Sequence, residues 1–543
     1  MVVTAAKSGI DRAPREAYAR LEEHILARNQ KAASEVFYEL VREERPLPEM
    51  IGEMVRIHAP YTHVPYHQRL DSGVVKFVNN DHCLLSARAS LRLTKLVPEQ
   101  LFHLPLAQTV WYIPTGLDPW NQLLGKVPGH YTRLYKIDVD SEPPPPEVHW
   151  EDQEPLYLDG SFDEKLNAWL TLVQRGDVVN TFRVFLGLLD DGANRQRLLA
   201  QLVFAGLIDI QDRMLYNRSY TTGHKAYRAR ATVELGNLVG WENAHAVVYA
   251  GVPDIAVGPR WYSTYEMACN VSQTFLDGRD REFMQQDRPL SQREQRETVD
   301  LVLNSREPAF THQITRLLKD GKGPRQIIDV LQVAAAETIL GTGDVNGFSM
   351  PQHTYEYCNT VRWFYDHFDH PHQTKLLYVA ASMVNQDAHS QANNPAMGYE
   401  PVRIRVPRGA EALPQQQLLR RLDEAMIALR PDESVGLTAA YLRGAYDRGP
   451  LIGVLVTAAS KIGNDPHNQE IPLCLIEDYR HSTAHERERL LLAAAKHNAG
   501  HRKYGDPLEA YRRFAGAFGI DARQNARGDG DPMEPVLDDV QPV

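Results

Sequence analysis

Apolar residues recur at three- and four-residue spacing along most of this chain. That period places them on one face of an α-helix. It predicts helical stretches over 17–41, 166–173, 197–210, 326–339, 375–384, 418–429 and 489–495. Ala, Leu, Gln, Arg and Glu dominate them, and all are good helix formers. Strand signals are scarce: VRIRV at 402–406 alternates, and 76–78 is shorter still. No strand followed by GxGxxG, no GxxxxGK[ST] and no GxSxG occurs, so a dinucleotide-binding or hydrolase sheet is not expected. The expected fold is all-α, a large multi-helix domain with minor β content.

A degenerate repeat organises the helices. PEMIGEMVRIHA from Pro48 aligns without gaps on PRQIIDVLQVAA from Pro324. Ile51, Met54, Val55, Ile57 and Ala59 match Ile327, Val330, Leu331, Val333 and Ala335. A looser copy starts at Gln196, and the starts lie 148 and then 128 residues apart. Such spacing exceeds that of solenoid repeats and points to two or three duplicated multi-helix units. The expected organisation is a helical unit over 1–136, an acidic Pro-rich loop over 137–160 and helical units over 161–290 and 291–390. An irregular connection over 391–415, C-terminal helices over 416–518 and a disordered acidic tail over 519–543 complete it.

Composition narrows the class. Of 543 residues, 70 are acidic and 59 are Lys or Arg, a formal charge of −11. Such a surface is a poor partner for nucleic acid or anionic membrane. Four scattered cysteines fit neither a disulfide framework nor a CxxC zinc site, and suggest a reducing compartment. No apolar run approaches the ~20 residues of a membrane span, and the first residues do not read as a signal peptide. A cytoplasmic protein is expected.

Histidine is the abundant resource, with 21 copies. His224 follows Gln196 by 28 residues and His353 follows Pro324 by 29. Each opens a stretch with a tyrosine on the next turn, Tyr227 and Tyr357. At the same offset the first unit has Phe77, with His82 close behind and His58, His63 and His67 before it. Equivalent histidines in several units would converge on a shared interior if the units pack about a pseudo-axis. His63 and His67, four apart, can also chelate one ion from a single helical face, although Pro65 stands between them. The pairs His481/His485 and His497/His501 read as solvated or helix-end positions. His367, His370 and His372, around Pro371, read as a surface turn. His245 reads either as a buried residue bonded to a helix carbonyl or as a general base.

GHKAYRARATVELGNLVGWENAHAVVYAGVPDIAVGPR, followed by HTYEYCNTVRWFYDHFDHP, resembles the helical module of questin-oxidase-like proteins. A related module occurs in bacterial proteins with a C-terminal Rieske domain. The resemblance covers roughly residues 180–390 and extends to 35–100. It implies an all-α fold and oxygen-dependent ring cleavage of polyketide aromatics. His224, His353 and His245 carry over as site residues. The paired CxH and CxxH of a Rieske cluster are absent, so electrons would come from a separate electron-transfer protein or from the substrate.

Two classes of function remain. One is an oxidoreductase acting on a bulky organic substrate in a His- and Tyr-lined cavity. It would work with or without a non-haem iron or another His-bound metal. His224, His245 and His353 would be bases or ligands there, Tyr227 and Tyr357 would orient substrate, and His63 and His67 would be further ligands. The other is a non-catalytic helical scaffold, with His224 and His353 more than about 15 Å apart, far beyond ligand distances. A His-ligated hydrolase is a third option, weakened by the lack of HExxH.

Overall fold

The computed structural model describes residues 16–59, 82–116, 153–210, 223–256, 262–343, 345–391, 402–463, 465–501 and 506–520. Among them every regular element is an α-helix or a short 3-10 turn. The sole β-type pairing is an isolated bridge between Arg288 and Lys322. The all-α expectation holds. No described helix is long and apolar enough to cross a membrane. His63, His67, residues 76–78 and most of the acidic loop and tail lie outside the described residues.

The VRIRV alternation at 402–406 forms no strand. Its Val and Ile side chains are half-buried and its arginines exposed, as the period implies. Among the described residues no second extended segment pairs with it, and Pro407 removes a backbone donor. It runs instead over the helix Pro431–Arg443. A Cβ on Gly436 there would meet the Arg405 carbonyl at 2.4 Å, so that close approach requires glycine.

The chain forms two compact units. Unit 1 comprises residues 1–91, 106–202 and 228–259; unit 2 comprises 92–105, 203–227 and 260–543. In unit 1 the helix Phe162–Arg175 begins at a capping box made by Ser161 and Glu164 and ends at Gly176 in the left-handed conformation. Asp177 then caps Val178–Leu189 through the Asn180 amide. The two helices are tied by Trp169, whose indole N–H donates to the Thr181 carbonyl at 3.0 Å. Gly52, in the helix Leu47–His58, lets Val239 approach to 3.4 Å of where a Cβ would stand.

Unit 2 is built around helices buried nearly all round, the pattern of a core rather than a surface helix. Pro324–Gly341 is buried from Ile327 to Leu340, and Ser349–His367 from Met350 to Val361. These two pack on each other; the helix His467–His481 packs on the second, and Glu488–Gly500 packs on both Pro324–Gly341 and His467–His481. Pro324 stands at the first helical position, where its missing N–H costs nothing. Gln292–Asn304 starts at a second capping box, Ser291 with Glu294. Lys322 donates to the same Glu294 at 2.8 Å, and these partners outweigh burial to hold its carboxyl down at about 2.

Several charged groups in this core are paired, as burial demands. Asp329, 1% exposed, accepts from Arg362 and from the Thr483 amide and hydroxyl, both at 2.7 Å. Glu337 is clamped by the Arg489 guanidinium. Asp478 is held differently. It is fully buried and accepts only from neutral donors, the Tyr355 hydroxyl at 2.8 Å and the Asn359 amide at 2.9 Å. Burial therefore raises its pKa to about 7, more than those bonds and distant Arg362 lower it.

An unfolded carboxyl titrates near 3.9. Between that value and about 7 the folded state holds the extra proton. The stability tied to the neutral acid is complete below ~4 and is lost as pH rises through about 7. The melting temperature is expected to fall between about pH 4 and pH 7 on this account. Asp478→Asn, which keeps an acceptor and a small polar group there, should flatten that fall. Parallel pH profiles of the two proteins would show that Asp478 is not the source.

Candidate metal centre

His224, His353 and His467 come together in unit 2, each 4% exposed or less. One ring nitrogen from each lies within 4.8 Å of the others. The His224 and His353 ring centroids are 4.5 Å apart, and those of His353 and His467 are 4.9 Å apart.

Three separate segments supply these rings. His224 is the first residue of the helix His224–Val239. Gly223 before it has φ +102°, and a Cβ there would stand 2.1 Å from the Tyr227 hydroxyl. That position therefore needs glycine on two counts, backbone conformation and space. Freed by it, the Tyr227 hydroxyl donates to the His353 carbonyl and ties the start of this helix to the His353 helix. His353 lies in the second turn of Ser349–His367.

His467 opens the helix His467–His481 after Pro466. Its first turn is anchored at three points. Asp465 accepts from the His467 backbone N–H at 2.9 Å, Asn468 donates to the His501 carbonyl at 2.8 Å, and Gln469 donates to the Pro105 carbonyl at 3.0 Å.

Asp465 also fixes the ring. Its Oδ1 sits 2.5 Å from His467 Nδ1. A carboxylate there holds the proton on Nδ1 and leaves a lone pair on Nε2, the arrangement that metal-ligating histidines take from a carboxylate behind them. That Nε2 lies 3.0 Å from His353 Nε2. Two lone pairs at that distance repel unless a proton or a cation lies between them. Two imidazoles bound at right angles to one ion, at ~2.1 Å each, would place their nitrogens ~3.0 Å apart. The observed separation matches that of adjacent ligands.

More histidines back the centre. His501 Nε2 is 3.5 Å from the same Asp465 oxygen. His497 stacks on His501 with centroids 4.9 Å apart, and its Nε2 lies 3.2 Å from Gln352 Oε1. Burial drives the His497 pKa well below its ordinary value, so this ring is neutral. His497 and His501 differ from the helix-end reading: both are fully buried, because the helix Glu488–Gly500 ends inside the unit.

The other candidates fall elsewhere. Tyr227 and Tyr357 are fully buried with occupied hydroxyls, Tyr357 donating to the Leu207 carbonyl at 2.7 Å. Tyr227 therefore stands as a strut beside the rings, and Tyr357 ties its helix to the Leu207 carbonyl. His245 belongs to unit 1, where it begins a short helix and its ring meets Phe182 edge-on at 5.9 Å. Of the predicted surface turn, His367 bonds the Trp363 carbonyl and His372 is exposed, but His370 is buried and stacks on Phe204 at 3.9 Å. An aromatic partner over 160 residues away drew it inward. A cleft of about 330 Å³ between Val299, Leu303, Val330 and Val333 carries Arg489 and His485 at its edge and none of the three histidines.

His467 is the member that the sequence reading missed. No periodicity marks it, since it follows a turn rather than an apolar face. A weak signal was present: His353 and His467 are each followed by glutamate three positions on.

Comparison with family models, with curated proteins and with solved structures finds no match. What can be said of the protein's class therefore rests on its fold and this centre: an all-α protein with a buried cluster of histidines able to hold a metal ion.

The Tyr227 strut can be tested directly. Tyr227→Phe should lower stability by about 1 kcal/mol, one buried hydrogen bond. Gly223→Ala, which both strains the backbone and displaces the tyrosine, should lower it by about 2–3 kcal/mol. Denaturant unfolding measures both. An alanine variant no less stable than the phenylalanine variant would contradict the clash.

Proposed function

We propose that the protein is a cytoplasmic, metal-dependent oxidoreductase that acts on a bulky organic substrate with oxygen as co-substrate. Its metal is held by His224, His353 and His467. One observation supports this reading above the rest: three buried imidazoles from distant segments converge, and one is locked by Asp465 with its lone pair turned inward. Imidazole ligands suit iron, copper or zinc. When bound, such an ion supplies a redox or Lewis-acid centre to substrate and oxygen.

The chain's own groups have definable tasks. His224, His353 and His467 bind the ion. Asp465 holds the His467 proton at Nδ1. Tyr227 sets the position of the His353 backbone. Burial of the whole cluster keeps bulk water away from the three rings.

The oxidative class is supported by the resemblance of residues 180–390 to questin-oxidase-like proteins. The four cysteines, all free thiols, fit a reducing compartment. Electrons come from the substrate or a separate carrier protein. The scaffold alternative needs His224 and His353 far apart, and their 4.5 Å ring separation speaks against it.

Elemental analysis of the purified protein is expected to find a transition metal. His353→Ala and His467→Ala should abolish its retention, and Asp465→Asn should weaken it about 10–100-fold. Oxygen uptake with a panel of polycyclic phenols then separates oxidation from hydrolysis. Metal-free protein that takes up no added Fe²⁺, Mn²⁺ or Zn²⁺ would end the proposal.

A further inference from the structure

The helix Ser349–His367 carries His353-x-x-Glu356, and the helix His467–His481 carries His467-x-x-Glu470. At three-residue spacing a histidine and a glutamate share one helical face. The two helices pack together. As a result Glu356, Glu470 and His467 each bring one ligand atom within 4.8 Å of the others. Glu356 is 2% exposed and Glu470 1%.

From this geometry we infer that the centre is not all-nitrogen: Glu356 and Glu470 form its carboxylate side. This rests on the three-histidine reading above and adds to it. His467 joins the two groups. It belongs both to the nitrogen group and to the carboxylate group.

Two carboxylates buried this close repel when both are ionised, and a proton or a cation between them relieves the charge. A divalent ion in the neighbouring histidine group does so without protonating either. The mixed set also selects the metal. Imidazole with carboxylate oxygen, in more than four positions, suits Fe²⁺ or Mn²⁺, whereas tetrahedral sulfur-rich sets suit structural zinc.

The same pattern accounts for why both glutamates sit on core helices. Glutamate at a fully buried position is costly without an opposite charge. Placing each one turn beyond a ligand histidine aims both side chains at one point from two packed helices.

Co²⁺ titration of the metal-stripped full chain, followed by visible absorption, tests the assignment. Glu356→Gln, Glu470→Gln and the double variant are compared with the unmodified protein, with circular dichroism as the folding control. The double variant is expected to bind Co²⁺ at least tenfold more weakly and with a changed spectrum. Its loss of Mn²⁺ affinity should exceed its loss of Zn²⁺ affinity. Should the double variant fail to fold, the two single variants carry the same test, each expected to shift the spectrum or the affinity. Unmodified protein that binds Co²⁺, with glutamine variants that match it in affinity and spectrum, would overturn the carboxylate side and leave the histidine centre standing. Unmodified protein that binds no Co²⁺ would overturn the centre itself.

Discussion

The contact between Asp465 and His467 is the one on which the site depends. A lone imidazole in a core has two nitrogens and no fixed tautomer. Here the carboxylate accepts from the ring Nδ1–H and from the backbone N–H of the same residue. Both ring rotation and proton position are thereby settled before any ligand arrives. His353 then meets a lone pair, not a donor of arbitrary orientation. Preorganisation of this kind needs a rigid support, and the first turn of the His467 helix has one in its bonds to the His501 and Pro105 carbonyls.

That support explains the polarity of unit 2's interior. Core helices that carry His, Glu, Asp and Asn lose hydrophobic burial at each such position. The loss is offset where the groups satisfy one another. Asp329 is matched by Arg362 and Thr483, and Glu337 by Arg489. Asp478 is satisfied by hydrogen bonds but not by a charge, which is why its proton is held up to about 7. The same helix thus carries His467 and Glu470 of the candidate centre at one end, and a titrating Asp478 further on.

Much of this was legible along the chain. The helix starts at Pro324 and the capping boxes at Ser161 and Ser291 are local chemistry, written in adjacent residues. His224 and His353 were singled out by matching offsets, and their rings do meet. Other readings turned on partners far away in sequence. VRIRV alternates as a strand would, but strands need a neighbour to bond, and the segment meets a helix. His370 sits in a loop-like run, yet Phe204 stacks on it. His497 and His501 looked like a helix-end pair because the sequence cannot show that the helix ends in a core.

The sequence by itself determined that this is a helical protein, where several of its helices run, and that histidine is its unusual resource. Those properties follow from period, caps and propensity, all of which act over a few residues. Only the tertiary structure decided which histidines matter together. His467 joins His353 across 114 residues through helix packing, and Asp465 then assigns its tautomer. A helical period says which face of a helix is buried. It carries no information on which other face lies opposite, and a ligand set is made of such oppositions.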